Sequence, residues 1–230
     1  MRVVLKLSGE ALSGEGKMGY DPDMVLHVVE EIKSLVESGV EVGVVIGAGN
    51  LIRGRDLKGI SRIAADHMGM LATVMNSIFL CENLKKHGLK SEVYSNFIEN
   101  ACVRSLNYED VEDLIRKKGV PIFAGGTSNP LFTTDTAAAL RAVEMGAKII
   151  LKGTKVDGVY DSDPEKNPNA RRFEKLTFDT ALSLGLEVMD LEAFSICRRF
   201  NITIVVYDFF VKGNSLKAVE GKVGTRVTGG

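Results

Sequence analysis

The residues of this chain best suited to chemistry sit in loops that follow apolar runs. The fullest of these loops is Gly125-Gly126-Thr127-Ser128-Asn129-Pro130-Leu131-Phe132-Thr133-Thr134-Asp135. It offers backbone N–H groups and hydroxyls ahead of a helix, where anions and ribose hydroxyls are well held. Taken alone, it is equally an ordinary connection in which Thr134 or Asp135 caps the next helix. Three other loops share its chemistry. Lys6-Leu7-Ser8-Gly9-Glu10 places a lysine at a strand end beside small residues, where it can meet a phosphate. Gly47-Ala48-Gly49-Asn50-Leu51-Ile52-Arg53-Gly54 lets a ligand approach the backbone closely, and Arg53 can fork onto phosphate oxygens. That stretch also reads as a solvated turn with a surface arginine. Gly153 to Pro164 carries turn signals at Asp157-Gly158 and Asp163-Pro164. Tyr160 lies between them, either as a flat face for stacking a base or as a cap on a hydrophobic edge.

The elements that must position these loops alternate. Apolar runs at Val3–Leu7, Val42–Ile46, Val120–Ala124, Lys148–Lys152 and Ile202–Tyr207 read as buried strands, with shorter ones at Glu92–Ser95 and Gly224–Val227. Helices are expected between them. Asp21-Pro22 starts one with an N-cap and a proline in the first turn, and Gly39 ends it. Ser61–His87 is the longest. Asn107 caps a helix running through Lys118, Thr136–Met145 follows the central loop, Asp190 caps Leu191–Phe200, and Asn214–Glu220 is short. Several strands are apolar on both faces, so the expected fold is an α/β/α sandwich with a mostly parallel sheet, formed by residues 1–230 as one domain. Right-handed crossovers then bring the loops after the strands to one edge, where a single cleft can form.

Two motifs are set aside on context. Gly14-Glu15-Gly16-Lys17-Met18-Gly19 matches GxGxxG, but a long polar loop separates it from the strand before and the helix after, so it reads as a surface loop. No P-loop pattern occurs. Within the longest helix, Asp66 is either a solvated carboxylate or an acceptor for sugar hydroxyls. Lys152 is a second candidate cation, with snorkelling at the core edge as the alternative.

Bulk properties narrow the class. The chain has 230 residues, 45% hydrophobic and 26% charged, with a net charge of −1. That supplies ample core and gives no general attraction to nucleic acid or to anionic membrane. No apolar run is expected to span a bilayer, and the start shows no cleavage pattern. Cys81, Cys102 and Cys197 read as reduced thiols, which points to a cytoplasmic setting.

Taken together, the segments Lys6–Glu10, Val45–Asn50, Asp66–Thr73, Asn129–Asp135 and Lys155–Tyr160 resemble bacterial UMP kinases of the amino acid kinase family. The first two are shared across the wider family; Asp66–Thr73 and Asn129–Asp135 are specific to the UMP kinases. The resemblance covers essentially the whole chain. It implies the amino acid kinase fold and Mg²⁺-dependent phosphoryl transfer from ATP to UMP. It also implies a homohexamer activated by GTP and inhibited by UTP. Carried onto this sequence, Lys6, Leu7, Ser8, Gly9, Gly49 and Arg53 would meet the ATP phosphates, and Thr154, Tyr160 and Asp163 the ATP nucleoside. Ala48, Asp66 and Thr127, Ser128, Asn129, Pro130, Leu131, Phe132, Thr133 and Thr134 would hold UMP. Lys6 and Asp135 would be catalytic, with Asp135 orienting Lys6 or helping to place Mg²⁺. Gly14, Glu15, Gly16, Lys17, Met18 and Gly19 match the segment linked to GTP activation. One departure is Ala48, where many relatives carry a third glycine. Two alternatives stay open on the residues alone: a kinase of the same fold acting on another small acceptor, or a non-catalytic nucleotide-binding regulator or oxyanion-storage protein.

Overall fold

A computed structural model describes all residues except 15–17, 53–56, 163, 165, 168, 187 and 230. The chain runs β1 (Arg2–Leu7), a 3-10 turn (Gly9–Leu12), α1 (Pro22–Glu37), β2 (Glu41–Ile46), α2 (Arg62–Lys86), β3 (Ser91–Ser95), β4 (Arg104–Ser105) and α3 (Tyr108–Arg116). It continues with β5 (Val120–Phe123), α4 (Thr134–Met145), β6 (Ile149–Thr154), β7 (Lys175–Thr177), α5 (Phe178–Ser183), α6 (Leu191–Phe200), β8 (Thr203–Asp208), α7 (Asn214–Val219) and β9 (Thr225–Thr228). Among the described residues nine strands form one sheet in the order β4-β3-β5-β2-β1-β6-β8-β9-β7. All neighbouring pairs are parallel except β8–β9. Helices cover both faces. Val3, Leu5 and Leu7 of β1 pack with α1, α2 and α7. Val4 points the other way and packs with α3 to α6. This strict alternation decides the site, because it sends Lys6 to the same face as Val4, beneath α4.

Local chemistry explains the element starts. Asp21 Oδ1 accepts from the Asp23 and Met24 N–H groups, with Pro22 in the first turn of α1. Asn107 and Asp190 cap α3 and α6 as the sequence predicts. The start of α4 corrects the sequence reading: Thr133, not Thr134 or Asp135, is the N-cap, and Asp135 lies inside the first turn. β6 extends two residues beyond Lys152, which places that lysine inside a strand rather than at its end.

The two short strands β4 and β7 and the helix α5 were not anticipated. α2 corrects a further expectation. It runs through Gly69 as expected, but by length and composition it is long and apolar enough to cross a membrane, where no apolar run was expected to be. In this fold one side of α2 packs on the sheet, with Val74, Leu80, Cys81 and Leu84 in the core.

Candidate functional site

The strand register builds the centre of the site. Lys6 of β1 sits directly beside Lys152 of β6, so both ammonium groups rise on the α4 face. Alone, two adjacent buried lysines repel. Asp135, in the first turn of α4, lies between them: Lys6 Nζ is 2.6 Å from Oδ1 and Lys152 Nζ is 2.8 Å from Oδ2. Their side chains are only 13%, 12% and 16% exposed for Lys6, Asp135 and Lys152. Lys152 also donates to the Val188 carbonyl at 2.6 Å. It is therefore an ion-paired, buried member of the cluster, not a snorkelling edge residue.

The electrostatics follow from this packing. Burial pushes the Asp135 carboxyl up, but the two lysines outweigh burial and hold it below the ordinary aspartate value. For Lys152 burial lowers the ammonium's pKa, Asp135 restores part of it, and the Lys6 charge lowers it again, so the net shift is downward. The cluster carries two cations and one anion. The charge of Asp190 also acts on Lys152 and offsets the surplus, and the N-terminus of α4 points at the same place.

A second carboxylate fixes the approach to this centre. Asp190 caps α6 through the Ala193 N–H at 2.7 Å. It also accepts from the Thr136 hydroxyl at 2.9 Å and from the Thr133 hydroxyl. Thr133 in turn accepts from the Asp135 N–H at 3.0 Å. The start of α4 is thus locked to the start of α6. Sequence reasoning assigned Asp190 only a capping role; its link to the central cluster is a tertiary contact.

Two recesses meet over the cluster. On one side, a cavity of about 180 Å³ is lined by Gly47, Ala48, Asp66, Gly69, Thr127, Phe132 and Thr134 among others. Asp66 Oδ2 accepts the Leu131 N–H at 2.8 Å, while Oδ1 pairs with Arg62. This contact holds Leu131 at φ 75°, a left-handed conformation that a leucine adopts only when its surroundings insist. Ser128 is also left-handed, at φ 66°. Asn129 folds back on Thr127, donating N–H to its hydroxyl at 3.2 Å. Of the loop residues expected to hold UMP, Ser128, Pro130 and Leu131 are not among those lining the cavity. Thr73, which the sequence reading quoted without a role, accepts the Gly125 N–H at 3.0 Å and ties the start of this loop to α2.

On the other side, a groove of about 530 Å³ runs along Lys152, Thr154, Val159, Tyr160, Ser162, Leu186 and Val206. Tyr160 is partly exposed, and its hydroxyl donates to Asp157 at 2.6 Å, which fixes the ring. A third recess of about 790 Å³, lined by Lys6, Thr133, Thr134, Asp135, Lys152 and Asp190, joins the first two. Two further depressions, of about 710 and 720 Å³, lie away from this centre, around Arg104 and Asp110. They touch none of the residues expected to do chemistry.

The donor-side turns come together as the sequence predicts. The Gly47 N–H donates to the Leu7 carbonyl at 2.9 Å, so the two loops pack as one. Gly9 must be glycine: a Cβ there would collide with Asn50 Oδ1 and lie 2.6 Å from the Gly49 nitrogen. Arg53, Asp163 and Glu15–Lys17 were expected to contribute and lie outside the described residues. Gly14 and Gly19 flank the last of these with φ of 78° and 82°, and Met18 is exposed.

Among the described residues no group of three or more His, Cys, Asp or Glu side chains is placed to hold a metal ion. Asp135 is already paired with two lysines and Asp190 with two hydroxyls and an N–H. The described residues therefore do not form a protein cage for Mg²⁺.

Comparison with known proteins agrees with this architecture. The amino acid kinase family profile matches residues 1–208. A uridylate kinase of Thermotoga petrophila is 53% identical over 228 residues, covering 99% of both chains. The crystal structure of a UMP kinase from Bacillus anthracis superposes with a TM-score of 0.95 at 32% identity, covering 99% of this chain and 96% of that one. A UMP kinase structure from Ureaplasma parvum gives a TM-score of 0.93 at 36% identity, covering 99% and 98%. With its mostly parallel sheet, its helices on both faces and its loops gathered at one edge, the chain belongs to the amino acid kinase family.

Proposed function

We propose that the chain transfers the γ-phosphoryl group of ATP to UMP, giving ADP and UDP, as one domain acting in a homohexamer. The carrying observation is the Lys6–Asp135–Lys152 cluster seated in the recess that joins the Asp66 cavity to the Tyr160 groove. UMP occupies the cavity beside Ala48, Asp66, Thr127 and Thr134. The ATP nucleoside lies in the groove beside Thr154 and Tyr160, with its phosphates over Ser8, Gly9 and Gly49. An oxygen of the UMP phosphate attacks the γ-phosphorus. The bond to the β,γ-bridging oxygen breaks, and its electron pair leaves with ADP. The attacking oxygen is already anionic, so no general base is needed. The protein's work is alignment and charge compensation. Lys6 and Lys152 neutralise the transferring group, and Asp135 keeps both ammonium groups in place before substrate arrives. Mg²⁺ enters as the ATP chelate. GTP activation, UTP inhibition and a cytoplasmic setting belong to the same reading; the likeness to bacterial UMP kinases supports them.

The test is ADP release from Mg-ATP with UMP, CMP, AMP, GMP and a panel of small carboxylates as acceptors. Turnover selective for UMP is expected. Turnover with a carboxylate alone would keep the phosphoryl chemistry and overturn the acceptor. ATP binding without turnover on any acceptor would favour a regulatory or storage role.

A further inference from the structure

Beneath the catalytic loops lies a buried amide pair that none of the chemistry above uses. Asn50 and Asn76 are both fully buried. Their side chains bond reciprocally: Asn76 Nδ2 donates to Asn50 Oδ1 at 2.7 Å, and Asn50 Nδ2 donates to Asn76 Oδ1 at 3.2 Å. Each amide then spends its remaining donor on a different loop. Asn76 Nδ2 donates to the Gly47 carbonyl at 2.7 Å, and Asn50 Nδ2 to the Gly19 carbonyl at 2.8 Å. The Gly19 N–H returns a bond to the Asn50 carbonyl at 2.8 Å. Gly9, at the start of the donor loop, packs against Asn50 Oδ1 so closely that no side chain fits. Four segments therefore meet at two side chains: the turn after β1, the segment entering α1, the turn after β2, and the middle of α2.

Burying two primary amides is costly unless every donor and acceptor is paired, and a packed apolar pair would serve stability as well. Full pairing at this junction gives geometry that apolar packing does not. We infer that the Asn50–Asn76 pair is a positioning device for phosphoryl transfer. It sets the Gly47–Asn50 turn against the Ser8–Gly9 turn from below, so that the backbone facing the phosphates is fixed before ATP binds. Through Gly19 it also makes the segment entering α1 sensitive to the same geometry. This inference rests on the proposed reaction.

The two amides have separable jobs, and isosteric variants separate them. Asn76→Asp keeps the bond from Asn50 Nδ2 but loses both bonds that Asn76 Nδ2 donates, to the Gly47 carbonyl and to Asn50 Oδ1. Asn50→Asp keeps the bond from Asn76 Nδ2 but loses both bonds that Asn50 Nδ2 donates, to the Gly19 carbonyl and to Asn76 Oδ1. The experiment measures kcat and both Michaelis constants with ATP and UMP for wild type, the two Asp variants, the two single Ala variants and the double Ala variant. Thermal midpoints are measured alongside. In Asn76→Asp, kcat is expected to fall about 10- to 100-fold, the size of effect that a sub-ångström to ångström misplacement produces, with Michaelis constants within about three-fold. The double Ala variant is expected to cost about as much in kcat as either single variant, as for residues acting as a unit. Lower thermal midpoints with kcat unchanged in the folded fraction would reduce the pair to a packing role and overturn the inference. Additive losses in the double variant would overturn it too. Wild-type protein without UMP turnover would instead sink the proposed reaction, a separate outcome read from the same plate.

Discussion

At the residue scale, the proposed transfer rests on how two lysines share one aspartate. Lys6→Ala removes one of the two cations facing the transferring group. Turnover is expected to drop about 10²–10³-fold, as for loss of one electrostatic donor, with the fold retained. Near-normal turnover would remove Lys6 from the mechanism. Lys152 makes a distinct prediction through pH. Its folded pKa lies below the ordinary lysine value, so between those two values the folded chain has released a proton that the unfolded chain still holds. Stability then rises with pH across that window, because the unfolded state binds more protons. Activity moves the other way, since the cation is lost. The profile of kcat/KM for ATP, which reports the free protein, is expected to fall on the alkaline side before the ordinary lysine range near 10.4, while the thermal midpoint does not fall. Parallel loss of both would indicate alkaline unfolding instead. Asp66 lines the proposed acceptor cavity and holds the Leu131 backbone. Asp66→Asn is expected to raise KM for UMP more than for ATP. Equal rises would make the carboxylate structural.

At the scale of elements, two helix caps of the same chemical kind have different consequences. Asp21 caps α1 through the N–H groups of that helix's first turn, whereas Thr133 caps α4 and is bonded to Asp190. Truncating either to Ala is expected to cost about 1 kcal/mol. Only Thr133→Ala should also lower kcat, because Asp135 loses the hydroxyl that fixes its N–H. Equal kinetics in the two variants would show that the start of α4 is held by packing alone. The same contrast shows what a sequence can and cannot reveal. The Asp21-Pro22 start is written in neighbouring residues and was legible, as were the long apolar strands and the caps at Asn107 and Asp190. β4 and β7 are two and three residues long, too short for a period to register. The loops were legible as a set because each follows a strand. Their joints were not: Asn50 and Asn76 lie 26 positions apart, and Asp190 lies 54 from Thr136. Lys152 looked secondary because nothing local reveals the register that sets it beside Lys6.

At the scale of the whole molecule, α2 poses the open structural demand. A helix apolar on all sides is ordinarily buried on all sides. Here one side packs on the sheet, while Ile63, Met68, Leu71 and Met75 remain exposed. At 100° per residue these four fall within one half of the helix circumference, so they form a stripe rather than scattered contacts. The stripe adjoins the acceptor side of the site, because Asp66 binds the Leu131 backbone and Phe132 lines the same cavity as Gly69. If the proposed hexamer uses this stripe, assembly and acceptor binding are coupled. Met75→Glu introduces a charge that a buried apolar contact cannot accept, at a position that faces solvent in the single chain. Sedimentation is then expected to show smaller species for this variant, with an unchanged circular dichroism spectrum and a larger rise in KM for UMP than for ATP. A hexamer that survives Met75→Glu would move the interface to another surface. Dissociation with both Michaelis constants unchanged would keep the interface and break its link to the acceptor loop.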